Sequence, residues 1–171
     1  MSFPRTARTL AASVLAVTGA LTAAIAPAQA ATTPDTSCER VCILDARTGS
    51  HPDYDRLVFD LTDHVAQPAV QAQLSADGSY TPGAAGEMRH LAIAGKSYLL
   101  LDVYPAQARS SGPDAYTTPA VQPVSLPSLK GVQMTGDYEG HIGFGLSLGD
   151  YTRYQVSTLT APNRIVVDVY H

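Results

Sequence analysis

The chain lacks tryptophan, and it has only two cysteines and no excess of basic residues. Lysine and arginine together number 11 against 15 acidic residues, which gives a net charge of −4. No basic stripe interrupts this acidic balance, so the sequence offers no counterion-release gain on nucleic acid, and acidic lipids would repel it. We therefore exclude nucleic acid and acidic membrane surfaces as partners.

Long apolar runs are also missing, apart from one at the N-terminus. Arg5 and Arg8 precede it, the stretch Leu10 to Ile25 is almost wholly apolar or small, and Ala28-Gln29-Ala30 offers small residues for cleavage. The run is short for a membrane-spanning helix and has no basic flank after it, so it predicts a signal peptide at residues 1–30. We expect a secreted, extracytoplasmic protein that is soluble after signal-peptide removal at about Ala30.

The remaining chain has the length of one domain with a sufficient core. Residues 31–40 are mostly small and polar and predict a flexible lead-in, which leaves residues 41–171 as a single domain. The chain ends at His171 directly after its last predicted strand, with no tail to anchor it. We therefore expect no membrane insertion of the mature protein.

The two cysteines, Cys38 and Cys42, lie where the lead-in meets the domain. An even number of cysteines in an exported chain favours one disulfide, which would fix the start of the first strand. A redox motif would have two intervening residues where this chain has three, and zinc would need two more ligands nearby. A redox or metal pair stays the alternative interpretation.

One short pattern, arginine-apolar-valine-apolar-aspartate-apolar, occurs twice. It spans Arg56–Leu61 and again Arg164–Val169, and Leu99–Tyr104 is a third copy without the arginine. Side chains alternate along an extended strand, so each copy has one apolar face and one face that carries the charged residues. Phe59 and Val167 should therefore point into a core, and the pattern predicts packed sheets.

The rest of the domain also alternates with the period of a strand, and almost no helical periodicity is present. Short connections with turn signals at Gly95-Lys96 and Pro162-Asn163 join most strands, while Ala106 to Leu129 is rich in proline and predicts one long loop. We predict an all-β sandwich of two mainly antiparallel sheets with about nine strands and little helix. The predicted strands are 41–47, 57–61, 70–74, 89–94, 97–104, 131–134, 141–148, 153–159 and 164–169.

Catalytic patterns are weak. Gly145-Leu146-Ser147-Leu148-Gly149 matches the G-x-S-x-G elbow of serine hydrolases, but no helix pattern follows it, and simple alternation explains the stretch as a strand with one face of small residues. None of the five histidines pairs with another at a spacing typical of metal ligands. We expect no enzyme activity, no metal and no cofactor, with a hydrolase that uses Ser147 as the last-ranked alternative.

The polar faces of the repeated strands are better candidates for binding. Arginine and aspartate at equivalent positions could pair across neighbouring strands or contact a ligand. Tyrosines in the adjoining turns could stack on sugar rings. The hypothetical binding residues are Tyr54, Arg56, Asp60, Tyr138, Arg164 and Asp168.

Three segments together resemble a known family. The stretches His51–Asp60, Gly136–Gly140 and Pro162–Val169 are similar, in this order, to the opening motif, middle turn and closing strand of the AMIN-like domain of exported actinobacterial proteins. The resemblance covers residues 41–171 and implies a sandwich of two antiparallel sheets with internal pseudo-symmetry. The resemblance implies a non-catalytic module, since related AMIN domains place cell-wall amidases and secretion proteins at the peptidoglycan. We expect no catalytic domain attached to this one.

These observations lead to one principal hypothesis and one alternative from another class. The principal hypothesis is an exported, non-enzymatic module that binds a cell-envelope glycan such as peptidoglycan. The alternative is an extracytoplasmic module that binds or inhibits another protein through the loop 106–129, because long loops on all-β scaffolds often carry function.

Overall fold

The domain consists of strands and connecting segments. The structure is a computed structural model that describes residues 38–63, 66–83, 86–110 and 114–171. The predicted signal peptide, and all of the lead-in before Cys38, lie outside these residues. The described residues form twelve strands: β1 Val41–Ser50, β2 Tyr54–Leu61, β3 Ala69–Ser75, β4 Ser79–Tyr80, β5 Arg89–His90, β6 Ser97–Tyr104, β7 Ala106–Gln107, β8 Val121–Pro123, β9 Leu129–Tyr138, β10 His141–Leu148, β11 Tyr154–Leu159 and β12 Arg164–Tyr170.

Ten of these strands form two five-stranded sheets. The first sheet has the order β11-β12-β2-β1-β7 and the second the order β3-β6-β10-β9-β8, while β4 and β5 pair only with each other. Neighbours are antiparallel except β1 and β7, which run parallel. Within the described ranges, no helix is long and apolar enough to cross a membrane.

The repeated pattern forms the centre of the fold. Its two full copies are the neighbouring strands β2 and β12, and Phe59 and Val167 are fully buried. The third copy is β6, which lies in the second sheet and buries Leu99, Leu101 and Val103. The rings of Phe59 and Phe144, one from each sheet, are 4.3 Å apart at their centroids. The predicted sandwich, with the apolar faces of both sheets in one core, is therefore confirmed.

The prediction of a hairpin around Gly95-Lys96 is wrong. Only Arg89–His90 of the segment 89–94 is a strand, and it pairs with β4 instead of β6. The residues after it lie on the outer face of the second sheet, where Leu91 covers Gly145 and Ile93 covers Gly131. Packing these two apolar side chains against the glycines removes apolar surface from water. This stabilises the observed arrangement more than a hairpin with β6 would.

The segment 106–129 contains more structure than the predicted loop, namely the short strands β7 and β8. Its middle is attached to β1, since the Thr117 amide donates to the Leu44 carbonyl at 2.9 Å and Thr118 Oγ1 bonds to Asp45. Tyr116 packs beside Phe144 in the core, and burial raises the pKa of Tyr116 to about 12. Much of this segment is thus part of the sandwich.

The N-terminal end of the described domain is cross-linked. Cys38 and Cys42 form a disulfide, as predicted, and its sulfurs pack with Ala115 in a small buried cluster. This disulfide therefore ties the residues before β1 to the start of β1, and it packs against the segment that follows β7.

Candidate functional site

Five of the six predicted binding residues lie on one surface, the outer face of the first sheet. Arg56 and Asp168 are directly opposite each other on β2 and β12. The Arg56 guanidinium donates two hydrogen bonds to the Asp168 carboxylate, at 2.7 and 2.9 Å, and lies 5.1 Å from the centre of the Tyr54 ring. The ion pair that the alternation suggested is therefore present.

Asp60 does not pair with the arginine opposite it. Asp60 lies opposite Arg164, but its carboxylate accepts two hydrogen bonds of 2.7 Å from Arg47 on the other side of β2. The Arg164 Nε is buried and has no hydrogen-bond partner among the described residues. The charges of Arg56, Asp168 and Asp60 on this face are thus paired across neighbouring strands.

Tyr138 lies elsewhere, at the end of β9 in the second sheet. It borders a groove of about 350 Å³ between the segment 81–83 and the outer faces of β6, β9 and β10. The residues that line this groove are Thr81, Pro82, Gly83, Asp102, Thr135, Gly136, Tyr138, Glu139, His141 and Gly143. The second sheet therefore offers a concave site, which the sequence did not predict.

The groove exists because only part of this face is covered. At Gly131 and Gly145 an added Cβ would lie 2.3 Å from side-chain atoms of Ile93 and Leu91, respectively. At Gly136 the nearest atom to an added Cβ, in Pro82, is 3.8 Å away, so this part of β9 remains open. The outer face of β9 and β10 is thus divided into a half that Leu91 and Ile93 cover and a half that they leave open.

The covered half includes the serine of the G-x-S-x-G pattern. Ser147 is buried, and its hydroxyl donates a hydrogen bond of 2.6 Å to the Ile93 carbonyl. Ser147 lies within β10, which is paired on both sides with β6 and β9. The strand predicted for this stretch is therefore confirmed.

Aromatic and acidic side chains surround the open half. Tyr138 is 51% exposed and its ring packs over Gly83, where an added Cβ would lie 3.5 Å from it. At the other end the rings of Tyr104 and His141 stack with centroids 4.3 Å apart, and His141 Nδ1 lies 3.0 Å from the Asp102 carboxylate. These rings provide flat apolar surfaces beside polar groups.

The turn after β9 adds a second carboxylate. Glu139 and Gly140 have positive φ angles of 51° and 85°, which turns the chain sharply into β10. Glu139 accepts a hydrogen bond from the Tyr138 hydroxyl, and this bond raises the pKa of Tyr138. The groove thus has carboxylates from Asp102 and Glu139, and no lysine or arginine is among the described residues that line it.

A neighbouring concavity of about 380 Å³ extends the site towards β3. It shares Thr81, Asp102, Thr135 and Gly143 with the groove and adds the exposed amides of Gln71 and Gln73. Together the two concavities cross most of the second sheet. No group of three metal-ligating side chains occurs in the described part of the chain.

Sequence reasoning identified Tyr138 but none of the other groove residues. Two signals were available: the run of glycine and serine on one face of 141–148, and Glu139 within the turn 136–140. Neither signal shows that the segment 81–83 approaches Gly136 from a distant part of the chain. That contact is tertiary, and it is what converts a flat face into a groove.

Comparison with known proteins identifies a family. The family model of the AMIN-like domain matches residues 41–171, which is more than half of the chain. No curated protein and no solved structure matches. The resemblance of the three sequence segments to the AMIN-like domain is therefore confirmed.

Proposed function

This chain belongs to the AMIN-like domain family, and from that premise we propose that it is an extracytoplasmic, non-catalytic module that binds a cell-envelope glycan such as peptidoglycan. Membership of this family suggests a module associated with peptidoglycan. The disulfide between Cys38 and Cys42 fits an oxidising compartment outside the cytoplasm. The ligand would lie in the groove on the second sheet.

The observation that carries this proposal is the combination of exposed rings and hydrogen-bond acceptors in one concave site. The rings that line the groove are those of Tyr138, which is 51% exposed, and His141, and they can stack on the apolar faces of sugar rings. Tyr104 lies beside the groove, where its ring stacks on His141. Asp102 and Glu139 can accept hydrogen bonds from sugar hydroxyl and amide groups. The groove volume of about 350 Å³ lies in the range of small-ligand sites.

The electrostatics of the groove favour an uncharged glycan strand over an anionic polymer. Two carboxylates line the groove, and the whole chain carries a net charge of −4. A phosphate-rich polymer would meet like charge at the site of contact, which is unfavourable at short range. Sugar units with hydroxyl and N-acetyl groups meet no such penalty.

Co-sedimentation with purified peptidoglycan tests the proposal. Tyr138→Ala removes an exposed ring in the groove, and we expect about a tenfold loss of binding, since one stacking or hot-spot contact contributes on the order of 1–2 kcal/mol. The matched control is Tyr151→Ala, because Tyr151 is 40% exposed but lies outside the groove. Equal binding by both variants and the wild type would contradict the assignment of the groove.

The face predicted from the sequence is tested in the same experiment. Arg164→Gln changes the outer face of the first sheet without touching the groove, and we expect no change in binding. Loss of binding with Arg164→Gln but not with Tyr138→Ala would move the site to the first sheet. Release of soluble sugar fragments from the peptidoglycan by the wild type would contradict the non-catalytic role.

A further inference from the structure

The two sides of the sandwich differ in how their sheet edges are protected. On one side the edge strands are β7 and β8, which have two and three residues. β8 also contains Pro123, which cannot donate a backbone hydrogen bond. Short strands and proline are common means of preventing edge-to-edge pairing. This side is therefore unsuited to adding another strand.

The edges on the opposite side carry no such protection. They are β3, with seven residues, and β11, with six. The sequence of β3, Ala-Val-Gln-Ala-Gln-Leu-Ser, contains no charged residue and no proline, and its pairing with β6 shows no bulge. A long, regular, uncharged edge is a ready template for pairing with a further strand. No strand of the described residues occupies it.

The backbone of β3 presents hydrogen-bonding groups at this edge. The Ala72 carbonyl lies 3.4 Å from the Tyr154 hydroxyl of the first sheet, so it points away from β6. Backbone direction alternates along a strand, and Val70 and Leu74 therefore also direct their N–H and C=O groups outward. A carbonyl has two lone pairs, so the contact with Tyr154 leaves Ala72 able to accept a second bond.

The sequence of β3 is a chemical palindrome about Ala72. Reading outward from that residue, Gln71 matches Gln73, Val70 matches Leu74, and the small residues Ala69 and Ser75 match each other. If two copies of β3 pair antiparallel about a two-fold axis at Ala72, every position faces a residue of its own kind. Amides then meet amides on the outer face, and aliphatic side chains meet on the inner face.

We propose that this protein forms a two-fold symmetric dimer in which the β3 edges of two copies pair antiparallel, joining the second sheets into one continuous sheet. The outward groups of Val70, Ala72 and Leu74 would supply about six hydrogen bonds between the copies. Leu74, which is 42% exposed, would become covered by Val70 of the second copy. Isologous pairing closes on itself and leaves no free β3 edge.

Charged substitutions on β3 test the proposed pairing and its register directly. Gln71 and Gln73 of the two copies would be close cross-strand neighbours, so Gln71→Lys combined with Gln73→Lys places like charges opposite each other, which is destabilising. The matched control is Gln71→Glu combined with Gln73→Lys, in which each glutamate faces a lysine of the second copy. Both variants alter the same exposed side chains, and only the sign of one charge differs.

The mass of the purified protein in solution is measured by light scattering over a range of concentrations. We expect a dimer mass for the wild type, a monomer mass for the double-lysine variant and a dimer mass for the glutamate–lysine variant. A wild type that stays monomeric throughout, or a double-lysine variant that stays dimeric, overturns the proposal. If β3 instead pairs with a strand of another protein, the purified wild type would be a monomer. That result would likewise overturn the proposal of a dimer.

Oxidative cross-linking tests the position of the axis independently. With the axis at Ala72, the two Ala72 Cα atoms lie about 5.5 Å apart, within disulfide range, so Ala72→Cys should give a cross-linked dimer. Leu74→Cys places its two Cα atoms roughly 14 Å apart by strand geometry, too far for a bond. Because Leu74 is the more exposed of the two, random collisions would favour cross-linking at Leu74. Preferential cross-linking of Leu74→Cys, or no cross-link with Ala72→Cys, would overturn the proposed register.

Discussion

At the scale of single residues, Asp55 shows how a buried charge can hold the two sheets together. It is fully buried in β2, and its carboxylate accepts hydrogen bonds from the Ser128 amide at 2.6 Å, the Ser128 hydroxyl at 2.8 Å and the Leu129 amide at 3.0 Å. Ser50 contributes a fourth bond of 2.9 Å. Since Leu129 begins β9, this carboxylate in the first sheet fixes the entry of a strand into the second.

Replacing this carboxylate should therefore destabilise the fold. Asp55→Ala leaves the amides of Ser128 and Leu129 buried without an acceptor, and we expect the free energy of unfolding to fall by about 3 kcal/mol. Asp55→Asn keeps one oxygen that can serve the same donors, so its loss should be clearly smaller. Urea unfolding followed by circular dichroism measures both. Equal losses for the two variants would show that the hydrogen bonds at Ser128 and Leu129 are not the source.

The same residue predicts a loss of stability in acid. Burial acts to raise the pKa of Asp55, but the hydrogen bonds from Ser128, Ser50 and Leu129 together outweigh it and lower the pKa below its ordinary value of 3.8. The stabilisation is therefore complete above about pH 4 and is lost as the pH falls through the lower pKa of the folded state.

We expect the urea midpoint of the wild type to decrease below pH 4 more steeply than that of Asp55→Asn, whose amide does not titrate. His171 Nε2 lies 3.8 Å from the carboxylate, so His171→Gln is a useful control for the contribution of the imidazole. Parallel pH profiles of the wild type and Asp55→Asn would mean that other carboxylates cause the acid sensitivity.

At the scale of secondary-structure elements, the strands with strict alternation could be predicted from the sequence, but their neighbours could not. Phe59 and Val167 are inside because each lies on the strand face opposite the arginine and the aspartate of its pattern, and this two-residue period is a local property. The segment after Arg89–His90 failed as a predicted strand because its place depends on glycines in β9 and β10, far away in the sequence. The partner of Asp60 was also missed, since Arg47 lies on a strand whose pairing is set by the whole sheet.

The packing of this segment gives a prediction with a control on the same strand. At Gly131 an added Cβ would lie 2.9 Å from the Ile93 Cβ, so Gly131→Ala forces Ile93 away from the sheet. We expect a loss of about 1–3 kcal/mol in the free energy of unfolding, as is typical of overpacking. At Gly136 the closest atom would be 3.8 Å away, so Gly136→Ala should be neutral or slightly stabilising. Similar urea midpoints for both variants would contradict the packing of Ile93 over β9.

At the scale of the whole molecule, the fold class could be predicted from repeated strands, whereas the groove could not. The groove depends on the approach of the segment 81–83 to β9, and on Leu91 and Ile93 covering only half of the sheet. Both are long-range contacts that a single sequence does not reveal. The proposed dimer adds a further consequence: a two-fold axis perpendicular to a continuous sheet places the two grooves on the same side of the assembly.

Two grooves on one side should strengthen binding to a polymer but not to a short fragment. A second contact on the same polymer is intramolecular, and avidity of this kind typically increases apparent affinity about 100-fold or more. We therefore expect the variant with lysine at both Gln71 and Gln73 to bind intact peptidoglycan about 100-fold more weakly than the wild type. Its loss on soluble disaccharide-peptide fragments should be far smaller, because these two residues line the neighbouring concavity and not the groove itself. The glutamate–lysine variant should recover binding to the polymer, since it restores the dimer. An equal loss on fragments would instead show that Gln71 and Gln73 contact the ligand themselves, and unchanged binding of the polymer would show that the two grooves do not act together.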